Sequence, residues 1–200
     1  MFSQADFDVF LEPTLTGRMA QVRAVIDPQF EQLAANLQPF FSQQKIEIYP
    51  HIAKHLRRTV NPPINTWIAF GPNKRGYKKD PHFEIGFWAD RMFIWLALLG
   101  ESKIDAQISS RLLANQQALN ELTGDYYVCQ DHTQTKIEAA SAKTIEMAIS
   151  GYQRGKKDEF LIGQVWAKDD RFFQNSTAIQ IKSIEAVISG LLAIYQKLVQ

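Results

Sequence analysis

The chain has 200 residues, 46% of them hydrophobic, and a formal net charge of +1. That apolar content suffices to bury one substantial core and is too high for a disordered chain. Its single cysteine, Cys129, excludes an internal disulfide and a cysteine-rich metal cage.

In chain order, Thr16 reads as a helix N-cap, with Met19, Val22 and Ile26 at helical spacing. Asp27 and Pro28 break that pattern and open a second helix, whose stripe is Phe30, Leu33, Leu37 and Phe41. Pro39 falls inside it and predicts a kink or an early end. From Lys45 the period moves toward two, so Ile46, Ile48 and Tyr49 read as strand. Pro50 would equally permit a helical first turn, which would put His51 and His55 on one face. Asn61-Pro62-Pro63 forms a rigid corner before a short strand over Thr66 to Phe70.

After a loop over 71–81, Phe83, Ile85 and Phe87 alternate with Glu84, Gly86 and Trp88, the pattern of a half-buried strand. Ala89-Asp90 reads as a two-residue turn into Arg91 to Leu98, apolar on both faces as a central strand is. Ile104, Ile108, Leu112, Leu119 and Leu122 predict one helix, and Tyr126 to Cys129 a strand that buries the thiol. Ile137, Ile145, Ala148 and Ile149 predict another helix, and Phe160 to Trp166 a strand closed by Asp169-Asp170. Ile181, Ile184, Ile188, Leu191, Tyr195 and Leu198 mark a long, core-facing last helix. With no linker and no repeat, the expectation is a single α+β domain, a mostly antiparallel sheet with helices packed on it.

The first ten residues carry Asp6 and Asp8 and no basic start, unlike a secretion signal. The longest unbroken apolar run, Met92 to Leu99, is far short of the roughly 20 residues of a membrane span. The expectation is a cytoplasmic protein with no membrane partner. A phosphate loop ending in Gly-Lys-Ser/Thr, a dinucleotide fingerprint, a nucleophile elbow and a His-Glu-x-x-His sequence are all missing. The common nucleotide hydrolases, Rossmann oxidoreductases, α/β-hydrolases and zincins are poor matches.

Charge is unevenly spread. Seven of the 22 Lys and Arg, but one of the 21 Asp and Glu, lie between His51 and His82, so this segment is +6 and the remainder −5. A first basic run holds Lys54, His55, Arg57 and Arg58, and a second holds Lys74, Arg75, Tyr77, Lys78 and Lys79, with His82 just beyond. Arginine forks and lysine point charges grip phosphates, and a protonated histidine adds a donor. With Tyr77, Trp67 and Trp88 interleaved, cations beside exposed aromatics would also suit single-stranded nucleic acid, whereas Trp67 and Trp88 in the core would leave only a solvated basic surface. His51, His55 and His82 could instead gather in a metal-assisted pocket with Arg58 and Tyr77. His55 or His82 could act as acid or base, oriented by Glu84 or Asp80.

The string Ala53-Lys-His-Leu-Arg-Arg-Thr-Val-Asn-Pro-Pro-Ile-Asn-Thr-Trp67, with Arg75-Gly-Tyr-Lys-Lys-Asp-Pro-His-Phe-Glu-Ile-Gly86, resembles the YktB-like family of uncharacterised bacterial proteins. Asp6-Phe7 and Gly17-Arg18-Met19 fit the same pattern, so the likeness covers nearly the whole chain. It implies a compact α+β fold of complex topology in a cytosolic bacterial protein, with no established activity or cofactor. Ile64-Asn65 stand where the family pattern is more acidic, and Glu84 where it has glutamine.

The leading functional expectation is a domain that binds nucleic acid or a phosphorylated small molecule through Lys54, Arg57, Arg58, Arg75, Lys78 and Lys79. The rivals are an enzyme built on the three histidines and a protein-interaction module.

Overall fold

The alternation of Phe83, Ile85 and Phe87 is realised in a hairpin of β3 (His82–Trp88) and β4 (Arg91–Leu98), joined at Ala89-Asp90. The computed structural model, which describes residues 1–155 and 158–200, adds β1 (Tyr49–Ile52), β2 (Asn65–Gly71), β5 (Tyr127–Cys129), β6 (Glu138–Ala139) and β7 (Phe160–Ala167). All pair antiparallel in one sheet of order β1-β2-β3-β4-β7-β5-β6. The helices are α1 (Leu15–Gln21), α2 (Asp27–Gln43), α3 (Ala106–Ala114), α4 (Gln116–Asn120), α5 (Ala142–Arg154) and α6 (Thr177–Val199). The architecture is α+β.

Period-two alternation gives the sheet two buried faces. Ile68, Phe70, Phe83, Ile85, Phe87, Ile94 and Ile162 point into the large core with α2, α5 and α6. Trp67, Trp88, Phe93, Trp95 and Leu161 point the other way, into a smaller core that Ala53, Tyr77 and Ile137 help to close. The central strands are therefore apolar on both sides, and polar residues on the second face, His82 and Glu84 among them, are buried too.

Several elements depart from the sequence reading. The first helix is capped by Thr14 rather than Thr16, its side chain accepting from Gly17 N at 3.1 Å. Asp27 and Pro28 do not break the chain. A wide π turn at Val22–Ile26 links α1 to α2 and keeps Val22 and Ile26 fully buried, while Pro28 sits in the first turn of α2, where an N–H is not needed. Pro39 does not end α2, which runs on to Gln43 and so places Phe41 against Phe70 and Phe83. The helix expected over 104–122 is two, divided at Asn115, whose side chain donates back to Arg111 O at 2.8 Å. Ile137 precedes α5, which starts from a Ser141 capping box.

Measured by helix rather than by unbroken apolar run, α6 is long and apolar enough to cross a membrane. Its Ile184, Ile188, Leu191, Tyr195 and Leu198 are, however, buried in the large core, and the helix packs on β4, β7, α2 and α3.

Candidate functional site

Both basic runs lie on loops over the second face of the sheet. Residues 49–52 are strand, not helix, and the ladder extends one residue through Ala53 N to Trp67 O at 2.9 Å. The chain then turns at His55, which has a left-handed φ of 50°, with Arg58 N donating to His55 O at 3.1 Å. Lys54, Leu56, Arg57 and Arg58 are left exposed. The loop's far end is tied down at Pro63, whose carbonyl accepts from Arg18 Nη1 at 2.9 Å.

The second run is folded by its own turns. Asn73 Oδ1 accepts from Arg75 N at 2.9 Å and Tyr77 O accepts from Asp80 N at 3.0 Å. Between these turns the Tyr77 ring points inward and its hydroxyl accepts from Trp67 Nε1 at 3.0 Å. Only a glycine at 71 allows this approach, because a Cβ there would lie 2.9 Å from Tyr77 Cβ. His51 and His82 flank the Tyr77 ring at 5.6 and 4.8 Å between centroids.

Two clefts open on either side of Tyr77. One, of about 390 Å³, is bordered by Lys54, His55, Arg57 and Arg58 from the first run and by Lys78 from the second, over Trp67 and Tyr77. The other, of about 540 Å³, is bordered by His51, Arg75, Tyr77, Lys78, Lys79 and Asp80. Of the six Lys and Arg along these clefts, Lys78 alone has a carboxylate partner among the described residues, Glu101 at 3.8 Å. Lys74 belongs to neither, and stands over the Tyr49 ring at 5.2 Å.

The histidines take separate roles. Burial, and then Arg58, lower the His55 pKa to about 4, so at neutral pH it is an uncharged group and not the cationic donor that the sequence suggested. Its Nε2 meets Thr66 Oγ1 at 3.1 Å. His51 Nε2 meets Asn73 O at 2.9 Å. His82 is fully buried beneath Tyr77 and borders neither cleft. Its Nδ1 lies 2.7 Å from Asp80 O and its Nε2 3.0 Å from Glu84 Oε1. A carbonyl only accepts, so His82 is the donor in the Nδ1 contact. Glu84 thus meets His82 through its carboxylate, whereas Asp80 does so through its backbone carbonyl.

Among the described residues, one set of three potential ligands lies close enough to share a metal ion, and it uses none of His51, His55 and His82. It consists of Asp131, His132 and Glu159, with donor atoms within 4.8 Å of one another. Glu159 Oε2 accepts from His132 N at 2.7 Å and also lies 2.7 Å from His132 Nδ1. Burial opposes protonation of His132, but Glu159 and Glu84 outweigh it and hold its pKa above the ordinary value.

Trp67 and Trp88 are 9% and 5% exposed, so neither offers a face for stacking a base. Cys129 is also buried, and burial pushes its thiol up to about 11.

A family model described as a domain of unknown function, DUF1054, matches residues 2–195. The chain belongs to the DUF1054 family. Similar proteins, each named a UPF0637 protein, come from Leuconostoc citreum, 41% identical with 98% of both chains covered, and Enterococcus faecalis, 39% identical with 98% of this chain and 97% of the relative covered. A third, from Lactiplantibacillus plantarum, is 38% identical over 98% of this chain and 94% of its own. The resemblance to an uncharacterised bacterial family is thereby confirmed, and no activity comes with it.

Sequence reading passed over His132 and Glu159 in this DUF1054 chain. They lie 27 residues apart, and the pairing of β5 with β7 brings them together. The local traces are slight: a polar Gln130-Asp131-His132 stretch just after an apolar strand, and the acidic pair Asp158-Glu159 just before another.

Proposed function

We propose that this protein binds a phosphorylated, anionic ligand in the clefts around Tyr77, working in the cytoplasm. The observation that carries the reading is the meeting of the two basic runs at one cleft, although β2 separates them in sequence. A volume of about 390 Å³ falls in the range of small-molecule sites, which runs from about 300 to 1,000 Å³. Arg57 and Arg58 offer bidentate donors, Lys54 and Lys78 add point charge, and neutral His55 with Tyr77 and Trp67 gives the floor a less polar character.

A phosphorylated small molecule is favoured over single-stranded nucleic acid. Strand binding gains roughly 1–3 kcal/mol per base from aromatic stacking, and Trp67 and Trp88 are turned into the smaller core. Reversing two charges tests the reading: Arg57→Glu with Arg58→Glu, both exposed and outside the core, should leave the fold intact and weaken binding of a fluorescent nucleotide at least tenfold. Unchanged binding in the folded variant would refute it.

A further inference from the structure

We propose that Asp131, His132 and Glu159 form a binding site for a divalent transition-metal ion such as Zn²⁺ or Mn²⁺. This inference stands apart from the anion-binding reading, because it uses none of the residues bordering those clefts.

One imidazole and two carboxylates suit Zn²⁺, which takes both donor types, and the two carboxylates also suit the harder Mn²⁺, whereas Mg²⁺ and Ca²⁺ favour oxygen alone. The set is held from behind. Thr133 donates to Asp131 Oδ1 from its N at 2.8 Å and from its hydroxyl at 2.6 Å, leaving the other carboxylate oxygen for an ion. Asn65 Nδ2 donates to His132 O at 3.1 Å, fixing that residue to β2. Glu159 N donates to Gln130 O at 2.9 Å, which locks the two segments in register. Such supporting bonds are what a metal site needs to keep its ligands aimed.

Charge argues the same way. Glu159 is 6% exposed, and Glu84, at 1%, borders the same small void as His132. Glu84 already has His82 Nε2 at 3.0 Å, so the buried carboxylate left to compensate is Glu159, and a divalent ion beside it supplies that charge. Zinc bonds of about 2.1 Å bring tetrahedral ligands to about 3.4 Å apart. The Asp131 side chain therefore closes inward on binding, while His132 and Glu159, already at 2.7 Å, open slightly.

The test is titration of chelator-stripped full-length protein with Zn²⁺, Mn²⁺ and Mg²⁺ by calorimetry, with elemental analysis after dialysis. Close to one Zn²⁺ or Mn²⁺ per chain is expected, with Mg²⁺ much weaker. Glu159→Gln and Asp131→Asn should each weaken binding at least tenfold. Asp131→Asn keeps the His132–Glu159 pair and so guards against loss of fold, which circular dichroism would report. No binding of Zn²⁺ or Mn²⁺ by the wild type at millimolar concentration would overturn the proposal, as would binding that Asp131→Asn leaves unchanged.

Discussion

Trp67 Nε1 donates to the Tyr77 hydroxyl at 3.0 Å, so a strand of the sheet holds the middle of the second basic loop in place. Tyr77→Phe keeps the ring and removes the acceptor, leaving an indole N–H buried without a partner. That should cost about 1–3 kcal/mol, read as a lower urea midpoint, and should also weaken anion binding by loosening Lys78 and Arg75. An unchanged midpoint would show that the bond does not hold the loop.

His55 makes stability depend on pH. Its folded pKa of about 4 lies below the ordinary 6.5, so between these values the unfolded chain binds more protons. Its contribution is intact above pH 6.5 and is lost as pH falls toward 4. Nuclear magnetic resonance should find the His55 imidazole neutral at pH 5.5. His55→Asn, whose side chain tolerates the left-handed φ of 50°, should flatten the stability profile in that window.

Gly163 lies between β4 and β5, opposite Trp95 and Tyr127. A Cβ there would lie 1.7 Å from Ile94 O, which is backbone and cannot swing away. Gly163→Ala should therefore cost about 3 kcal/mol or more. Gly76→Ala is the control: a Cβ at 76 meets nothing within 4 Å, and the change should stay within about 0.5 kcal/mol. Equal urea midpoints for the two variants would contradict this packing.

Arg18, 8% exposed, donates to three carbonyls, Phe10 O at 2.7 Å, Glu12 O at 2.9 Å and Pro63 O at 2.9 Å. It thus pins the N-terminal segment to the end of the first basic loop. Arg18→Ala should lose about 2–4 kcal/mol, and Lys should not rescue it, because one ammonium cannot serve this spread of acceptors. Thermal denaturation of both variants checks this, and a wild-type Tm in the lysine variant would contradict it.

The β3–β4 hairpin was legible in the sequence because its signal is local: Phe83, Ile85 and Phe87 alternate and the turn follows at once. The α2 stripe of Phe30, Leu33, Leu37 and Phe41 was legible for the same reason, and all four side chains are buried. The place of β7 between β4 and β5 was not, since the pairing of Arg91 with Ala167 is decided by tertiary packing. Pro39 and the Asp27-Pro28 pair misled as breakers, because burial of Phe41, Val22 and Ile26 outweighs local preference. In the candidate site, composition singled out the basic runs but not which histidines would be free to meet a ligand. His55 and His82 read alike in sequence, yet one borders a cleft as a neutral ring and the other is sealed beneath Tyr77.

The central claim is tested most directly by the anisotropy of a labelled nucleotide, single-stranded RNA, single-stranded DNA and duplex DNA with the wild-type protein at two salt concentrations. The account expects binding that weakens steeply with salt and is competed by a phosphorylated small molecule, because cations along the clefts would be meeting phosphates. No binding of any probe at low salt, or binding indifferent to salt, would contradict it.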